Sequence, residues 1–370
     1  MQNITRLFGA MHSMAIIAVI AVIGFSFAAC GDGAGGGGPT VTVYSAGHYK
    51  EGAVQKPCYW KNTVRTKLPI PNTANNASAR VITVVNGTVY TAGYYHETDN
   101  IDTYRKACYW KGTTRFNLDI PVGAYPEIYG ITVVNNTVYT AGCYNVSAGR
   151  IACYWTGTEC IILDDPDGDL PSARSIIVRD DGTVYTAGNY YKSSKVKPCY
   201  WKDDTAPIDL IVPGTANYAY ATGIAVLNNM VYTTGSYGDG SYSTPCYWTD
   251  PYTDTPCIEL ELPDGAKGAY ATGITVVNNT WYIAGGWYGD SGGEKPCYWA
   301  EEICYPLDVP VNVGESWIHE MSVVNGTVYS VGGYYIDGSD TNVVCYWEGA
   351  ERTDLDFIDE SIIKSCIVVK

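Results

Sequence analysis

The sequence predicts an all-β fold, a seven-bladed β-propeller built from four-stranded antiparallel blades. Three observations predict it: a repeated Cys-Tyr-Trp motif, a Tyr-x-x-Gly unit upstream of each copy, and complementary strands at the two chain ends. Successive motifs lie 45 to 51 residues apart and are separated by strand-forming residues and turn pairs. Repeats of this length and composition are typical of propellers. We expect the propeller to span residues 41–370.

The Cys-Tyr-Trp motif marks the third strand of each blade. It occurs seven times, beginning at Cys58, Cys108, Cys153, Cys199, Cys246, Cys297 and Cys345. We expect its tryptophans to pack inside the fold and its cysteines to act as small buried hydrophobes. Equivalent cysteines of different blades are too far apart to bridge. Cys153/Cys160 and Cys297/Cys304 are each seven residues apart across a predicted hairpin. The sequence leaves open whether either pair forms a disulfide.

A hairpin joins the first and second strands of a blade. Asparagine, aspartate and glycine tolerate the positive φ angles of a two-residue type I′ turn, and such pairs recur at this point. They are Asn86-Gly87, Asn135-Asn136, Asp181-Gly182, Asn228-Asn229, Asn278-Asn279 and Asn325-Gly326. The second strand that follows ends on the glycine of the Tyr-x-x-Gly unit.

The two ends of the propeller complete each other. Residues 41–44 read as a second strand without its first, and residues 365–369 read as a first strand without its second. Pairing them completes the seventh blade and removes two open sheet edges, which are otherwise prone to aggregation. The C-terminal strand is therefore expected to close the ring.

Composition restricts the partners. A chain that is 46% hydrophobic and 16% charged is globular, and its net charge of −15 argues against nucleic acid and against docking on anionic lipid. The sequence contains no zinc-type cysteine spacing, Walker loop, dinucleotide fingerprint or serine-hydrolase elbow. We therefore expect no cofactor, no metal site and no catalytic residue, and we expect a monomer.

The N-terminus reads as a targeting segment. Residues 1–29 contain one arginine and a short apolar run from Met14 to Phe27, which suits a signal peptide better than a transmembrane helix. Small residues precede Cys30, as in the lipobox of bacterial lipoproteins, so Cys30 is the predicted lipidation site. Cleavage after Ala29 of an ordinary secretory signal is the alternative. Residues 30–40 then form a glycine-rich tether, and the propeller is held on a membrane of the bacterial cell envelope, periplasmic or surface-exposed.

Antiparallel connectivity divides the connections between two faces. One face carries the tight first-to-second turns; the other, here called the varied face, carries the second-to-third connections and the crossovers between blades. The predicted long loops of the varied face include 94–107, 286–296 and 333–344. Varied loops on a rigid scaffold are the usual place for binding, so we place the ligand there.

Two sets of aromatic residues are candidate ligand contacts on the varied face. The first stands two residues beyond each blade glycine: Tyr49, Tyr95, Tyr144, Tyr190, Tyr237, Trp287 and Tyr334. A ring of stacking platforms and repeated packing between blades both account for it. The second set lies in the crossovers and is not strictly repeated, so packing explains it less well: Tyr218, Tyr220, Tyr270 and Trp317.

Other polar candidates are weaker. His48, His96 and His319 fall on blades that become neighbours when the ring closes. Two interpretations are open: a chance cluster, or an acid–base or metal site. The stretch from Asp165 to Asp169 alternates carboxylates but lacks the glycine and glutamate of a calcium loop, so we interpret it as an acidic turn. Acidic residues are plentiful in the loops, but the sequence does not single out two of them as the paired carboxylates of a glycoside hydrolase.

The Val-Tyr-x-Ala-Gly pattern and the later strand with tyrosine and tryptophan resemble kelch-type propellers over residues 41–370. Most blades depart from that family because only Gly285-Gly286 and Gly332-Gly333 form its glycine doublet. The tandem Cys-Tyr-Trp motifs also resemble repeat-bearing bacterial lipoproteins of uncharacterised function. The resemblance implies a binding scaffold for protein or carbohydrate; some kelch-like propellers are oxidases, so fold alone does not decide function. The alternative is a glycan-active or metal-dependent enzyme with its site in the central funnel.

Lipidation is the testable consequence of the N-terminal motif. Metabolic labelling with a fatty acid should label the wild-type protein and leave the Cys30→Ser variant unlabelled. If neither protein takes up label, the chain is a secreted protein without a lipid anchor.

Overall fold

The computed structural model describes residues 42–98, 103–165, 169–250, 257–290, 293–311, 313–338, 342–355 and 362–369. Every regular element in these ranges is a β-strand, and the strands form seven four-stranded antiparallel sheets. The predicted all-β, seven-bladed propeller is confirmed. The predicted signal segment, Cys30 and the tether lie outside the described residues. Within the described ranges no helix is long and apolar enough to cross a membrane.

The blades follow one another along the chain. The first contains β1 (Thr42–Glu51), β2 (Val54–Lys61) and β3 (Val64–Lys67). The second contains β4 (Ala74–Val85), β5 (Thr88–Thr98), β6 (Thr103–Lys111) and β7 (Thr114–Asn117). The third contains β8 (Tyr125–Val134), β9 (Thr137–Val146), β10 (Gly149–Thr156) and β11 (Glu159–Ile162). The fourth contains β12 (Asp169–Val178), β13 (Val184–Lys192), β14 (Lys195–Lys202) and β15 (Ile208–Asp209).

The remaining blades repeat this order from the innermost strand outward. The fifth contains β16 (Tyr218–Leu227), β17 (Met230–Gly238), β18 (Ser243–Asp250) and β19 (Ile258–Glu259). The sixth contains β20 (Gly268–Val277), β21 (Thr280–Tyr288), β22 (Glu294–Ala300) and β23 (Ile303–Pro306). The seventh contains β24 (Val313–Val324), β25 (Thr327–Ile336), β26 (Asn342–Glu348) and β27 (Glu351–Leu355).

The last strand, β28 (Ile362–Val369), closes the ring as predicted. It pairs antiparallel with β1, with Thr42 opposite Val369, and takes the innermost position of the first blade. Ile367 packs with β1, the second blade and Leu68, while Ile363 packs beside Trp60 and residues of the seventh blade. One short strand therefore joins the hydrophobic cores on both sides of the first blade.

The predicted asparagine turns adopt the backbone conformation that their chemistry favours. Asn135 and Asn136 have φ of 49° and 63°, and the other asparagine turns have similar positive values. The Asp181-Gly182 turn is the exception, because only Gly182 has positive φ and Val178 pairs with Val184. That prediction is wrong: the connection is longer and places one glycine in the left-handed region, a common hairpin variant.

The hydrophobic core lies between adjacent blades. Each Trp of the motif is buried, and six indole N–H groups donate to a backbone carbonyl of the preceding blade, at 2.7–2.9 Å. The pairs are Trp110–Pro69, Trp155–Asp119, Trp201–Asp164, Trp248–Ile211, Trp299–Glu261 and Trp347–Asp308. In these six blades the indole N–H thus finds an acceptor although the ring is in the core.

The motif cysteines are fully buried and free. In the two candidate disulfide pairs both thiols are free as well. Burial, and then a hydrogen bond to Cys160, raises the pKa of the Cys153 thiol, and the same causes act on Cys297 beside Cys304. The two thiols of each pair are therefore close together without a bridge.

Long loops on the varied face were predicted wrongly. The second and third strands continue to pair well beyond the blade glycine, for example from Tyr94 opposite Ala107 to Thr98 opposite Thr103. The segments 286–296 and 333–344 likewise extend their hairpins to Tyr288–Glu294 and Tyr335–Asn342. The main chain satisfies its hydrogen bonds in the ladder, so the varied face consists of protruding hairpins around the central channel.

Deletion of residues 362–370 tests ring closure. Losing β28 removes two buried isoleucines and exposes the edge of β1, so we expect a fall in melting temperature of about 10 °C or more, or loss of folding. Thermal denaturation by circular dichroism measures this effect. A truncated protein that melts within about two degrees of the intact chain would contradict closure by this strand.

Candidate central-channel site

A β-bulge interrupts the innermost strand of every blade at the same place. In the fourth blade Ala173 lies opposite Gly188 and Ser175 opposite Ala187, so Arg174 between them has no partner. The other six blades shift register beside the equivalent position. The seven bulged residues, here called the bulge ring, are Arg80, Tyr129, Arg174, Thr222, Thr272, His319 and Lys364.

The blade glycine is required by this bulge. A Cβ atom on Gly188 would lie 1.9 Å from the carbonyl oxygen of Ser172, two residues before Arg174. At Gly332 the corresponding distance, to the oxygen of Trp317, is again 1.9 Å. Such contacts are impossible, so the second strand accepts only glycine where the innermost strand bulges toward it. The Tyr-x-x-Gly repeat therefore indicates where each blade presents one extra side chain.

The bulged residues approach one another along the wall of the central channel, which the innermost strands surround. The Arg174 guanidinium carbon lies 5.7 Å from the Tyr129 ring centre and 5.4 Å from that of Tyr220, on the blades either side. Electrostatic effects also link Lys364 with Arg80 and with His319, on its two neighbouring blades. Arg80, Arg174, His319 and Lys364 are half-buried and retain accessible surface.

Positive charge accumulates where the first, second and seventh blades meet. Burial and the neighbouring Arg80 guanidinium lower the pKa of Lys364 to about 8 from an ordinary value of 10.5. Burial, then Lys364, Arg80 and Lys50, lowers the pKa of His48 to about 4. Burial and Lys364 lower the pKa of His319 to about 3. Both imidazoles are therefore neutral at physiological pH, whereas the lysine and the arginine carry the charge.

Aromatic rings project from the innermost strands of the fifth, sixth and seventh blades, and they include the second set of predicted residues. A Cβ atom on Gly286 would lie 2.7 Å from the Tyr270 hydroxyl, and one on Gly333 would lie 3.0 Å from the Trp317 ring. The second glycine of each doublet thus gives room for an aromatic ring from the innermost strand. Tyr220 lies 5.9 Å from Tyr218 between ring centres, and all these rings are half-buried.

The first set of predicted aromatics has a different environment. Six of its members are buried, with 2–9% of their surface exposed: Tyr49, Tyr95, Tyr144, Tyr190, Tyr237 and Tyr334. Several hydroxyls donate to the outermost strand of their own blade, including Tyr190 to Asp209 at 2.6 Å and Tyr334 to Asp354 at 3.0 Å. Trp287 packs in the core beside Ile283. These contacts favour the packing interpretation over a stacking platform.

The three predicted histidines do not form one centre. A hydrogen bond of 3.1 Å joins His48 Nδ1 to Ser78 Oγ. Trp317 Nε1 donates to His319 Nε2 at 2.9 Å, which places the proton of neutral His319 on Nδ1. His96 lies against Tyr94 and Tyr125. In the part of the chain that the structure describes, no three His, Cys, Asp or Glu side chains are arranged to hold a metal ion.

Two glutamates near the channel have raised pKa values. Burial raises the pKa of Glu320 well above its ordinary range, and its Oε2 atom has no hydrogen-bond partner. Burial also raises the pKa of Glu294, opposed by a hydrogen bond from the Tyr270 hydroxyl at 3.0 Å and assisted by Glu315. Asp165 is half-buried, and the rest of the predicted acidic turn lies largely outside the described residues.

Comparisons with known proteins find only distant similarity to solved structures. No family model matches the chain, and no curated protein matches its sequence. A protein assigned as a 6-phosphogluconolactonase from Bacteroides fragilis is 12% identical, with a TM-score of 0.45 over 89% of this chain and 98% of that one. A polysaccharide lyase, an ulvan lyase bound to a GlcA–Rha3S chain, is 11% identical, with a TM-score of 0.48 over 77% and 83%. These are not kelch proteins, and similarity at this level carries no argument about activity.

Sequence reasoning missed the bulge ring, although one signal points to it. On the innermost strand, the residue that follows the partner of each blade glycine has no partner of its own. In the second blade Gly93 pairs with Ala79, and the unpaired residue is Arg80. The glycine predicts a close backbone approach, but not which strand supplies it. The sequence alone therefore does not distinguish Arg80, Arg174 and Lys364 from ordinary strand residues.

Replacing Lys364 tests the cost of the charge in the channel. Its lowered pKa means that protonation opposes folding, fully below pH 8 and progressively less up to pH 10.5. Without ligand, Lys364→Met should therefore raise the free energy of unfolding at pH 7 by about 1–2 kcal/mol, after discounting for solvent screening. Urea unfolding of both proteins at pH 7 and pH 10 measures it. A variant less stable than wild type at pH 7 would show that the lysine stabilises the fold.

Proposed function

We propose that this chain is a binding scaffold that takes its ligand into the central channel from the varied face. The observation that carries the proposal is the pair of half-buried rings, Tyr270 and Trp317, each lying over a glycine beside the bulge ring. An aromatic ring fixed against the backbone offers a large contact area at little cost in conformational entropy. These rings are not repeated in all blades, so packing alone does not require them.

Of the two ligand classes that the sequence leaves open, protein and carbohydrate, we favour carbohydrate. The rings belong to innermost strands, so they lie within a recess behind the protruding hairpins, where a slender ligand reaches more easily than a broad protein surface. Hydrogen-bonding groups stand beside them, including the Tyr270–Glu294 pair. Sugar rings combine an apolar face with hydroxyl groups and suit such a mixture.

A glycan-active enzyme is the second candidate function, because one carboxyl group has a suitable environment. The raised pKa of Glu294 favours the protonated form that a general acid needs, and Glu315 lies close enough to contribute to that shift. Glycoside hydrolysis needs a second carboxylate in a defined position relative to Glu294. We propose the binding scaffold first because no such catalytic pair is identified among the described residues. Release of new reducing ends from a bound oligosaccharide, abolished in Glu294→Gln, would favour the enzyme.

We also propose that the scaffold works outside the cytoplasm, held on the cell envelope by lipid on Cys30 and acting as a monomer. The sequence of the N-terminus supports this proposal, together with the glycine-rich stretch that follows it. A tether would let the varied face turn toward its ligand.

Substitution of the channel aromatics tests the proposed site. We expect Trp317→Ala and Tyr270→Ala each to weaken saccharide binding about tenfold or more, because central aromatic anchors typically contribute 2 kcal/mol or more. Calorimetric titration with oligogalacturonate, its methyl ester and a neutral xylo-oligosaccharide provides the measurement. The control is Asn136→Gly, which keeps positive φ in a turn on the other face.

The control variant should bind as the wild type does. If none of the saccharides binds the wild type, carbohydrate is the wrong ligand class. If Asn136→Gly weakens binding and the aromatic variants do not, the ligand uses the other face.

A further inference from the structure

We propose that the bulge ring is an anion-binding site for the carboxylate or sulfate groups of an acidic glycan. The glycan part of this inference rests on the proposed function, whereas the anion site rests on the charges of the ring itself. Arg80, Arg174 and Lys364 supply the positive charge. They lie on the second, fourth and first blades, respectively.

These three cations have no carboxylate partner among the described residues. Other arginines of the chain do: Arg105 lies 3.9 Å from Glu127, and Arg352 lies 2.9 Å from Asp354. Glu127, which accepts a hydrogen bond from Tyr129 of the ring, is thus already engaged by Arg105. The chain has 38 acidic residues against 23 basic ones, so unpaired cations inside the channel do not reflect a shortage of acids.

Holding like charges together in a half-buried place is unfavourable unless something compensates them. Lys364 makes no hydrogen bond or ion pair in the described structure, and Arg80 contributes to its lowered pKa. Burial of an uncompensated charge costs free energy that a bound anion restores. The arrangement therefore fits a site that is completed by its ligand.

Arg174 is positioned as a rigid donor. Its Nε donates to Asn189 Oδ1 at 2.8 Å, and its guanidinium lies between the rings of Tyr129 and Tyr220. This leaves the terminal nitrogens as a planar fork, the geometry that matches carboxylate and sulfate oxygens. The oriented side chain gives specificity that a mobile surface arginine does not.

The other half of the bulge ring is already satisfied. Thr222 Oγ1 donates to the carbonyl of Ala271 at 2.9 Å, and Thr272 Oγ1 donates to that of Ala284 at 3.1 Å. Both hydroxyls are therefore used inside the scaffold. The channel thus carries cations on the first, second and fourth blades, and the aromatic rings of Tyr220, Tyr270 and Trp317 on the fifth, sixth and seventh blades beside them. An acidic sugar can place its anionic group on a cation and its ring on a neighbouring aromatic side chain.

The test compares ligands that differ only in charge. Oligogalacturonate and its methyl ester have the same sugar rings, but esterification removes the carboxylate charge. We expect the wild type to bind the acid at least tenfold more tightly, and Arg174→Gln and Lys364→Met each to lose about tenfold for the acid and little for the ester. A sulfated oligosaccharide tests whether sulfate serves equally well.

Arg179→Gln is the matched control. Arg179 is the first residue after β12, the strand that contains Arg174, and lies in the turn on the other face, where it pairs with Asp181 at 3.7 Å. This variant changes the net charge by the same amount, so general electrostatic attraction would weaken in both. We expect Arg179→Gln to bind the acid as the wild type does.

A pH series isolates Lys364. The groups that face it are Arg80 on β4, His48 on β1 and His319 on β24, and neither histidine titrates above pH 6.5. Affinity for the acid should fall severalfold from pH 6.5 to pH 9 as the lysine loses its proton. Lys364→Arg should keep most of its affinity at pH 9.

The outcomes separate the anion site from the glycan function. Equal binding of acid and ester, unchanged in the ring variants, overturns the anion site and leaves glycan binding in place. If no saccharide binds but citrate or inorganic sulfate raises the melting temperature of the wild type and not of Lys364→Met, the anion site stands without the glycan. If no anion binds or stabilises the wild type, the inference is wrong.

Discussion

The hydrogen bond from the motif indole to the preceding blade is the interaction on which the rest of the structure depends. A blade of four strands has two faces to bury, and it can do so only against its neighbours. The motif tryptophan is buried in the core between blades, while its N–H group joins its blade to the main chain of the preceding blade. The same bond recurs at 2.7–2.9 Å in six blades, so each of these blades is joined to the preceding one by an equivalent contact.

The glycine of the second strand connects this scaffold to the channel. It admits the carbonyl of the innermost strand, which then bulges and turns one extra side chain away from the regular ladder. Bulges commonly re-aim side chains next to binding sites, and here one occurs in every blade. A backbone feature repeated for structural reasons thus produces seven positions whose side chains are free to differ.

Sequence periodicity predicted the fold because each local signal agreed with the global arrangement. The Cys-Tyr-Trp spacing, the asparagine turns and the incomplete strands at the two ends all led to the closed ring that β28 forms. The candidate site was harder to predict from the sequence. Tyr95 and its equivalents alternate like residues of an exposed strand, yet the preceding blade covers them. Whether a strand residue is covered depends on how neighbouring sheets pack, which the strand's own sequence does not show. Continued pairing beyond Gly93 was missed because its polar residues resemble a loop.

Tyr220, Tyr270 and Trp317 were singled out for a better reason, since they break the repeat. A repeat protein contains its own comparison between equivalent positions, even without related sequences. Positions that serve the packing of blades meet the same surroundings seven times and keep one residue, as the motif cysteine and tryptophan do. The equivalent positions of the bulge ring hold five different residue types, arginine, tyrosine, threonine, histidine and lysine, on a backbone that hardly changes.

Variation within an invariant frame has a physical meaning for this ring. If the bulged side chains served only to fill the channel, uncharged residues such as Thr222 and Thr272 would suffice in every blade, since they satisfy their hydroxyls on the main chain. Instead, three blades carry cations, and burial together with the neighbouring Arg80 makes the charge of Lys364 oppose folding, a cost that the repeated contacts between blades tolerate. Destabilising charges retained in a well-packed scaffold are a common feature of binding sites. On the proposal made above, the bulge ring is the part of the propeller that serves a ligand, and the repeated strands are the part that serves folding.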